Sequence, residues 1–326
     1  MAIVVGSGVS GLTCAATLLE AGHEVEIWAR QRPPHTTSNV AAAFWFPYRA
    51  FPLDVVVRWA GCSWQRFATL AREPAAGITM RRAYDLSRGA PEETACPKRP
   101  WWADAVPTLR QATQAELPEG FAFAWVFEAP VIDTRRYLPW LMDRVVQAGG
   151  RFVTRELNSL EDALDRADVV VNCTGLGART LCDDDELVPI RGQIVHVSNP
   201  GLEAVYLDEH ARDIAYVVPR GDDCVLGGTA DLGSEDLDVD LEASQDILER
   251  TTRLAPALRG ATKLADVVGL RPGRSSVRVA AESPAPGKLL VHDYGHGGAG
   301  VTLSWGCADD VRSLVAHAGF EPETAR

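Results

Sequence analysis

The chain is short of several features that would decide its class at once. Its seven cysteines (Cys14, Cys62, Cys96, Cys173, Cys182, Cys224 and Cys307) are odd in number, scattered, and nowhere form a C-x-x-C pair. No histidine or cysteine falls at zinc-site spacing, so no metal is expected and the thiols read as small buried hydrophobes in a reducing compartment. No apolar run approaches the ~18 residues of a membrane span. No basic segment precedes Ala2-Ile3-Val4-Val5, so no cleavable leader is expected. Glu323-Thr324-Ala325-Arg326 carries no recognised address, and the expectation is a bacterial-type cytoplasmic protein. Basic residues are outnumbered, 32 Lys and Arg against 44 Asp and Glu, for a formal charge of −12. Such a field repels a nucleic-acid duplex or an anionic membrane, so neither is an expected partner. Internal repeats and long linkers are missing, and the histidines accompany no Ser or Cys nucleophile motif.

What is present is ordinary globular material, 46% apolar and 23% charged over 326 residues. At roughly 150 residues per domain this length predicts about two domains, ample to bury a core without staples. Ala2 to Val5 is a short β-branched run suited to a strand buried on both faces. Gly6-Ser7-Gly8-Val9-Ser10-Gly11 follows, then Leu12, Ala15, Ala16 and Leu19 at helical spacing until Gly22. Val25-Glu26-Ile27-Trp28-Ala29 reads as a second strand. This strand–glycine turn–helix–strand unit cradles a dinucleotide pyrophosphate on a helix N-terminus. The acidic residue that usually meets the ribose is missing, because Ala29-Arg30 stands there. Arg30 could read a 2′-phosphate, as in NADP, or lie at the surface while backbone or water holds the ribose.

Further along, five prolines between residues 88 and 120 mark irregular structure. Tyr137 to Ala148 and Leu241 to Leu258 have helical patterns, with Glu249 and Arg253 spaced to pair. Val169 to Asn172, Gln193 to Val197, Ala215 to Val218, Cys224 to Leu226 and Leu289 to Val291 read as strands. A second glycine loop, Gly295-His296-Gly297-Gly298-Ala299-Gly300, leads into a helix from about Val301 to Ala318. Its N-terminus would suit a ring that gains negative charge, or the loop is a packing turn. His296 within it reads as structural. Arg271 closes the apolar run Ala265 to Leu270, and its planar fork suits a carboxylate; the alternative partner is a local acid such as Asp266. Tyr216 alternates onto the face of Ile214 and Val218, where its hydroxyl needs a partner, from the core or from a substrate. Asp183-Asp184-Asp185-Glu186 reads as a solvated turn, and Trp101-Trp102 as a core anchor or an interface patch.

Together these segments resemble the D-amino-acid oxidase family of flavoproteins nearly end to end. The carriers are Gly6-Ser7-Gly8-Val9-Ser10-Gly11; Thr36-Thr37-Ser38-Asn39-Val40-Ala41-Ala42-Ala43-Phe44-Trp45; Tyr137-Leu138-Pro139-Trp140-Leu141; Val171-Asn172-Cys173-Thr174-Gly175; Arg191-Gly192-Gln193; Tyr216-Val217-Val218-Pro219; Gly269-Leu270-Arg271-Pro272; and Asp293 to Thr302, the most specific. The resemblance implies an α/β fold: a Rossmann-like FAD-binding domain with an interleaved α+β substrate domain rich in antiparallel sheet. The implied FAD domain is discontinuous, 1–50, 130–185 and 265–326, with 51–129 and 186–264 forming the substrate domain. The implied reaction moves hydride from Cα of a D-amino acid to FAD, giving a 2-oxo acid, ammonia and hydrogen peroxide. The implied partners are therefore a small D-amino acid and oxygen, and homodimers are common in the family.

Carried over residue by residue, Arg271 and Tyr216 would hold the substrate carboxylate and the Gly298 carbonyl its amine. Ala42, Ala43 and Phe44 would wall the flavin ring, and Gly297, Gly298, Ala299, Gly300, Val301 and Thr302 its pyrimidine end. Thr37 and Ser38 would touch the phosphate or ribose region and Thr174 the adenine part, with Leu157, Gly175, Ala29, Arg30 and Arg271 completing the cofactor contacts. In this family an Ala-Arg pair ends the second strand, which removes the argument for NADP. Phe44, Phe46 and Leu207 would line the substrate pocket, Leu207 where acid-specific members carry Arg, so neutral apolar side chains are expected over D-aspartate. Arg212 stands where mammalian relatives have a second tyrosine, in a shorter loop. The competing readings are a glycine- or sarcosine-type amine oxidase, an NADP-dependent reductase reading Arg30, and a non-catalytic nucleotide-binding module.

Overall fold

The computed structural model describes residues 1–89, 98–209 and 214–320. The N-terminal strand Ala2–Val5 is buried on both faces and lies parallel to Val25–Ala29 and Val169–Asn172. These form the centre of a six-stranded sheet, flanked by Arg151–Thr154 on one side and Leu289–Tyr294 on the other. Arg278–Glu282 closes the second edge as its one antiparallel member. Helices Val9–Glu20, Thr134–Gln147 and Gly300–His317 contribute Leu12, Leu138, Leu141, Val145 and Val311 to the core on one face. Leu138, Leu141 and Val145 are three and four residues apart, the spacing that keeps one helical stripe turned inward. Trp28, Leu160 and Leu164 fill the other face.

The second sheet has nine strands, in the order 231–232, 188–198, 223–227, 215–219, 205–208, 78–87, 123–132 and 110–111, with 263–273 also paired to 188–198. All its neighbours are antiparallel except 78–87 beside 205–208. Alternation sorts its side chains cleanly. Ala83, Val205, Leu207, Tyr216, Val218 and Val225 share one face with Ala299, Leu303 and Cys307 of the C-terminal segment. Tyr84, Leu86, Ala215 and Val217 share the other, covered by Ile247 and Leu254 of helix Leu241–Leu254. The first face therefore meets the C-terminal glycine loop, and the candidate site lies at that junction. Trp102 is a core anchor on this side, 4.8 Å from Phe127 and 5.6 Å from Phe46 by ring centroids, while Trp101 is exposed.

Several expected boundaries move. The 241–258 helix ends at Leu254, and Pro256 opens a separate 3-10 turn, Pro256–Leu258, because proline's ring clashes with the preceding helical turn. The strand carrying Arg271 runs on through Pro272 to Gly273; it pairs only with Val188–Ser198, and an edge strand tolerates proline. Expected domain limits at 130 and 265 fall inside strands Phe123–Ile132 and Lys263–Gly273 of the second sheet. Glu249 and Arg253 form no ion pair; the Arg253 guanidinium donates to the Glu249 carbonyl instead. Among the described residues no helix is long and apolar enough to cross a membrane.

Candidate active site

The N-terminal glycine turn is built so that no side chain fits. Gly6 holds φ +111°, and a Cβ there would lie 2.4 Å from the Cys173 carbonyl oxygen; one at Gly11 would lie 2.0 Å from the Gly6 oxygen. Gly8 caps the following helix without a side-chain acceptor, and no acidic residue stands in its first turn. The first-turn amides have no intrahelical partner, which leaves the helix end partly positive. Val9 donates its N–H to the Ser38 hydroxyl at 2.9 Å, tying Ser38 to this end, and Ser7 donates to the Gln31 carbonyl at 2.6 Å. Ser10 is half-buried and Thr37 is exposed on the short helix Thr37–Val40. Thr174 closes strand Val169–Asn172 by donating to Asn172 Oδ1 at 2.7 Å, and Gly175 follows with φ +56° and open space around it. Ala29 is buried and Leu157 packs half-buried beside Trp28. Arg30 lies at the surface, 3.2 Å from Glu156.

The second loop is equally tight. Gly295 and Gly297 have φ of +81° and +54°, and the Gly297 amide donates to the Pro272 carbonyl at 2.8 Å. Helix Gly300–His317 begins without a side-chain cap or a first-turn acid. Its Thr302 hydroxyl donates to the Phe46 carbonyl at 3.0 Å and accepts from the Phe46 amide at 3.2 Å, so the side chain serves the protein and only its backbone faces outward roles. Val301 and Ala299 are buried. Below the loops, Asp293 is buried with His296 Nε2 at 3.0 Å and accepts from the Cys14 thiol at 3.2 Å. His296 is thus structural.

The segment carrying Ala42, Ala43 and Phe44 runs beside strand Phe123–Ile132, with Ile132 donating to the Ala43 carbonyl at 2.8 Å and Phe44 bridged to Val131. It delivers Phe44 6.3 Å from the Tyr216 ring and 6.0 Å from Phe46. Phe46 and Leu207 are buried, and Leu207 stands directly across from Tyr216. The Tyr216 ring lies over Gly227, where a Cβ would be 1.9 Å from Cζ. Burial pushes its hydroxyl above the ordinary tyrosine range, with the charge and hydrogen bond of Arg271 opposing. The Arg271 guanidinium lies over Gly192 and donates to the Thr229 carbonyl at 3.0 Å. It makes no ion pair with any described residue, since Asp266 is occupied by Lys263 and Ser244, each at 2.7 Å. Gly298 is exposed, and a Cβ there would meet the Tyr48 ring at 2.9 Å and Arg271 Cδ at 3.6 Å. A cleft of ≈ 190 Å³ opens between Tyr48, Arg49, Arg271, Arg274, Gly297 and Gly298. A guanidinium without an ion pair among the described residues and a buried phenol thus stand beside a glycine loop, donors of the kind a small carboxylate can accept from.

A sequence model of the FAD dependent oxidoreductase family matches residues 1–314. The chain is 46% identical to a D-amino-acid oxidase of Rubrobacter xylanophilus over 97% of its own length and 96% of the relative's. The chain belongs to the FAD-dependent oxidoreductase family. A D-amino-acid oxidase of Streptomyces coelicolor is 41% identical, covering 96% of both chains. Among solved structures, glycine oxidase from Geobacillus kaustophilus shares the fold with a TM-score of 0.81 at 20% identity, over 99% of this chain and 95% of that one. The residues fit the family's cofactor: two helix N-termini without an N-cap side-chain acceptor or a first-turn acid, each entered through a glycine loop, suit a pyrophosphate at one end and an electron-rich ring at the other.

Three contributors to the site are not among the candidate site residues of the sequence analysis, although Gly192 lies within the Arg191-Gly192-Gln193 carrier. Tyr48 backs Gly298, and burial raises its hydroxyl while Arg49 and Arg271 pull the other way. Gly192 and Gly227 are the floor under Arg271 and Tyr216; glycine inside a strand was the available signal, because it often marks close approach of another group. The turn from Asp183 to Glu186 departs from the expectation of a solvated run: Asp184 is buried, accepting from the Tyr294 hydroxyl at 2.8 Å and Arg274 Nε at 3.0 Å. The position of Arg212 lies outside the described residues.

Proposed function

We propose that this chain is an FAD-dependent oxidase that converts a D-amino acid, oxygen and water into a 2-oxo acid, ammonium and hydrogen peroxide. The observation that carries the substrate reading is the Arg271 guanidinium, free of any described carboxylate and set beside Tyr216 and the Gly298 loop. Its planar fork can bond both oxygens of an α-carboxylate, and the Tyr216 hydroxyl, kept protonated by burial, adds a third donor. The exposed Gly298 can offer its carbonyl to the α-amine, which orients the Cα–H. FAD, when bound, takes up the two electrons and the hydrogen leaving Cα and passes them to oxygen.

Gly6, Gly8, Gly11, Ser38, Thr174 and Gly175 would hold its dinucleotide portion, and the segments Ala42–Phe44 and Gly297–Thr302 its ring. No side-chain base is needed, since the neutral amine's lone pair drives departure from Cα. Glu186 is the one carboxylate lining the cleft among the described residues, and Arg274 and Ser275 already hold it. Phe44, Phe46 and Leu207 support an apolar stretch of side chain next to Cα.

The test is a chiral screen of D- and L-amino acids, glycine and sarcosine with peroxide detection on the FAD-loaded protein. Turnover confined to D-enantiomers is expected. Turnover of glycine or sarcosine alone would replace this reading with an amine oxidase. A colourless protein stabilised by NADPH would replace it with the reductase that reads Arg30.

A further inference from the structure

Beyond Leu207, the row of side chains that contains Tyr216 ends on a buried carboxyl group, Asp85, with an oxygen unpartnered among the described residues. Asp85 stands directly opposite Leu207, and Leu207 directly opposite Tyr216, across three adjacent strands. Directly opposed residues share a face of a sheet, so all three side chains rise on the side of the clamp. Their neighbours agree: Ala83, Val205, Leu207 and Tyr216 pack in one cluster with Phe46, whereas Tyr84 and Leu86 pack on the reverse side.

Asp85 is 6% exposed, and its buried Oδ1 has no hydrogen-bond partner among the described residues. It forms no ion pair among the described residues. Burial drives its pKa well above the usual carboxylate range, and Glu209 and Asp208 push the same way. An orphaned buried carboxyl is destabilising and calls for an explanation.

We propose that Asp85 receives the cationic end of a long substrate side chain, the ammonium or guanidinium of a D-lysine, D-ornithine or D-arginine type of amino acid. The inference rests on the oxidase reading and deepens it. Leu207 and Phe46 pack the methylene stem, and Asp85 meets the charge beyond it. The Tyr216 ring leans over Gly227, one strand further from Asp85, so at about 4.8 Å per strand the clamp stands about 14 Å from Asp85 along the row. An extended lysine side chain spans about 6 Å from Cα to Nζ in five bonds of about 1.5 Å. Charge-assisted hydrogen bonds of about 2.8 Å at the two ends and about 2.5 Å from carboxylate oxygen to Cα bring a fully extended chain to about 14 Å. The apolar preference expected from Phe44, Phe46 and Leu207 then describes the stem and not the tip.

The deciding measurement is kcat/KM of the FAD-loaded enzyme for D-lysine and for D-norleucine, a neutral substrate of nearly the same length. D-lysine is expected to exceed D-norleucine at least tenfold. In Asp85→Asn the D-lysine to D-norleucine ratio is expected to fall at least tenfold. Equal or better turnover of D-norleucine by the wild type, or an unchanged ratio in the variant, overturns the assignment. If Asp85→Asn fails to fold or to bind FAD, the wild-type comparison alone decides. Absence of peroxide from every D-amino acid tested refutes the oxidase reading itself, which is a separate outcome.

Discussion

Replacing Gly192 by alanine tests the carboxylate clamp without touching either of its functional groups. A Cβ at this position would sit 2.1 Å from one terminal nitrogen of Arg271 and 2.3 Å from Cζ. Ordinary contact begins near 3.4 Å, so the guanidinium must retreat by more than an ångström. That retreat is cheap for folding, since the far end of a flexible side chain moves, but it spoils the bond to the Thr229 carbonyl that aims the fork. A lost hydrogen bond to a charged group is worth about 1.5–3 kcal/mol, roughly a 10- to 150-fold fall in kcat/KM. The assay is steady-state peroxide formation with a D-amino acid, beside urea unfolding of the same samples. Stability is expected to change by no more than about 1 kcal/mol. The sharper version is a cycle with Arg271→Ala: in that background Gly192→Ala should cost almost nothing, because its effect travels through the missing side chain. A kcat/KM within twofold of the wild type in Gly192→Ala, or fully additive losses in the cycle, would refute the clamp.

Tyr216→Phe should raise KM about tenfold or more, the worth of one hydrogen bond to a carboxylate. Because burial lifts this hydroxyl above its ordinary value of 10.0, the wild-type profile of kcat/KM should show no Tyr216 limb below pH 10. Gly11→Ala forces a Cβ to within 2.0 Å of the Gly6 oxygen, a backbone atom that cannot swing aside. The purified variant should therefore lose flavin absorbance, and full retention of FAD would contradict the cradle. Asp223 is acted on upward by burial, yet His196, Arg220 and Arg135 together hold its carboxyl below the ordinary range. A depressed folded-state pKa gives stability that is present above about pH 4 and lost as pH falls through the folded value. Asp223→Asn should cost about 3 kcal/mol at pH 7, and the gap in Tm should close in acid.

The nucleotide half of the molecule was readable because its signals are local. Four β-branched or small residues, a glycine turn and a helical stripe follow one another within twenty positions. Arg271 and Tyr216 were readable as residue types in strands, but their partners were not: Gly192 lies 79 positions from Arg271, and Gly227, in the strand next to Tyr216, is found only through the pairing register. Asp85 shows the limit most plainly. In its own strand it is one polar residue among alternating ones, and only the pairing with Leu207, 122 positions later, turns it toward the pocket. Asp184 misled for the opposite reason: four consecutive acids look solvated, while Tyr294 and Arg274 bury one of them from outside the run.

The double hydrogen bond between Thr302 and the backbone of Phe46 has a thermodynamic consequence. One partner belongs to the helix whose first turn is proposed to face the flavin, and the other to the proposed wall of the substrate pocket. Neither can shift without the other, so ordering by one ligand is shared with the site of the second. Linkage then requires reciprocity: whatever factor FAD adds to the affinity for a substrate-like carboxylate, that carboxylate must add to the retention of FAD. The molecule would hold its cofactor most tightly while it is at work.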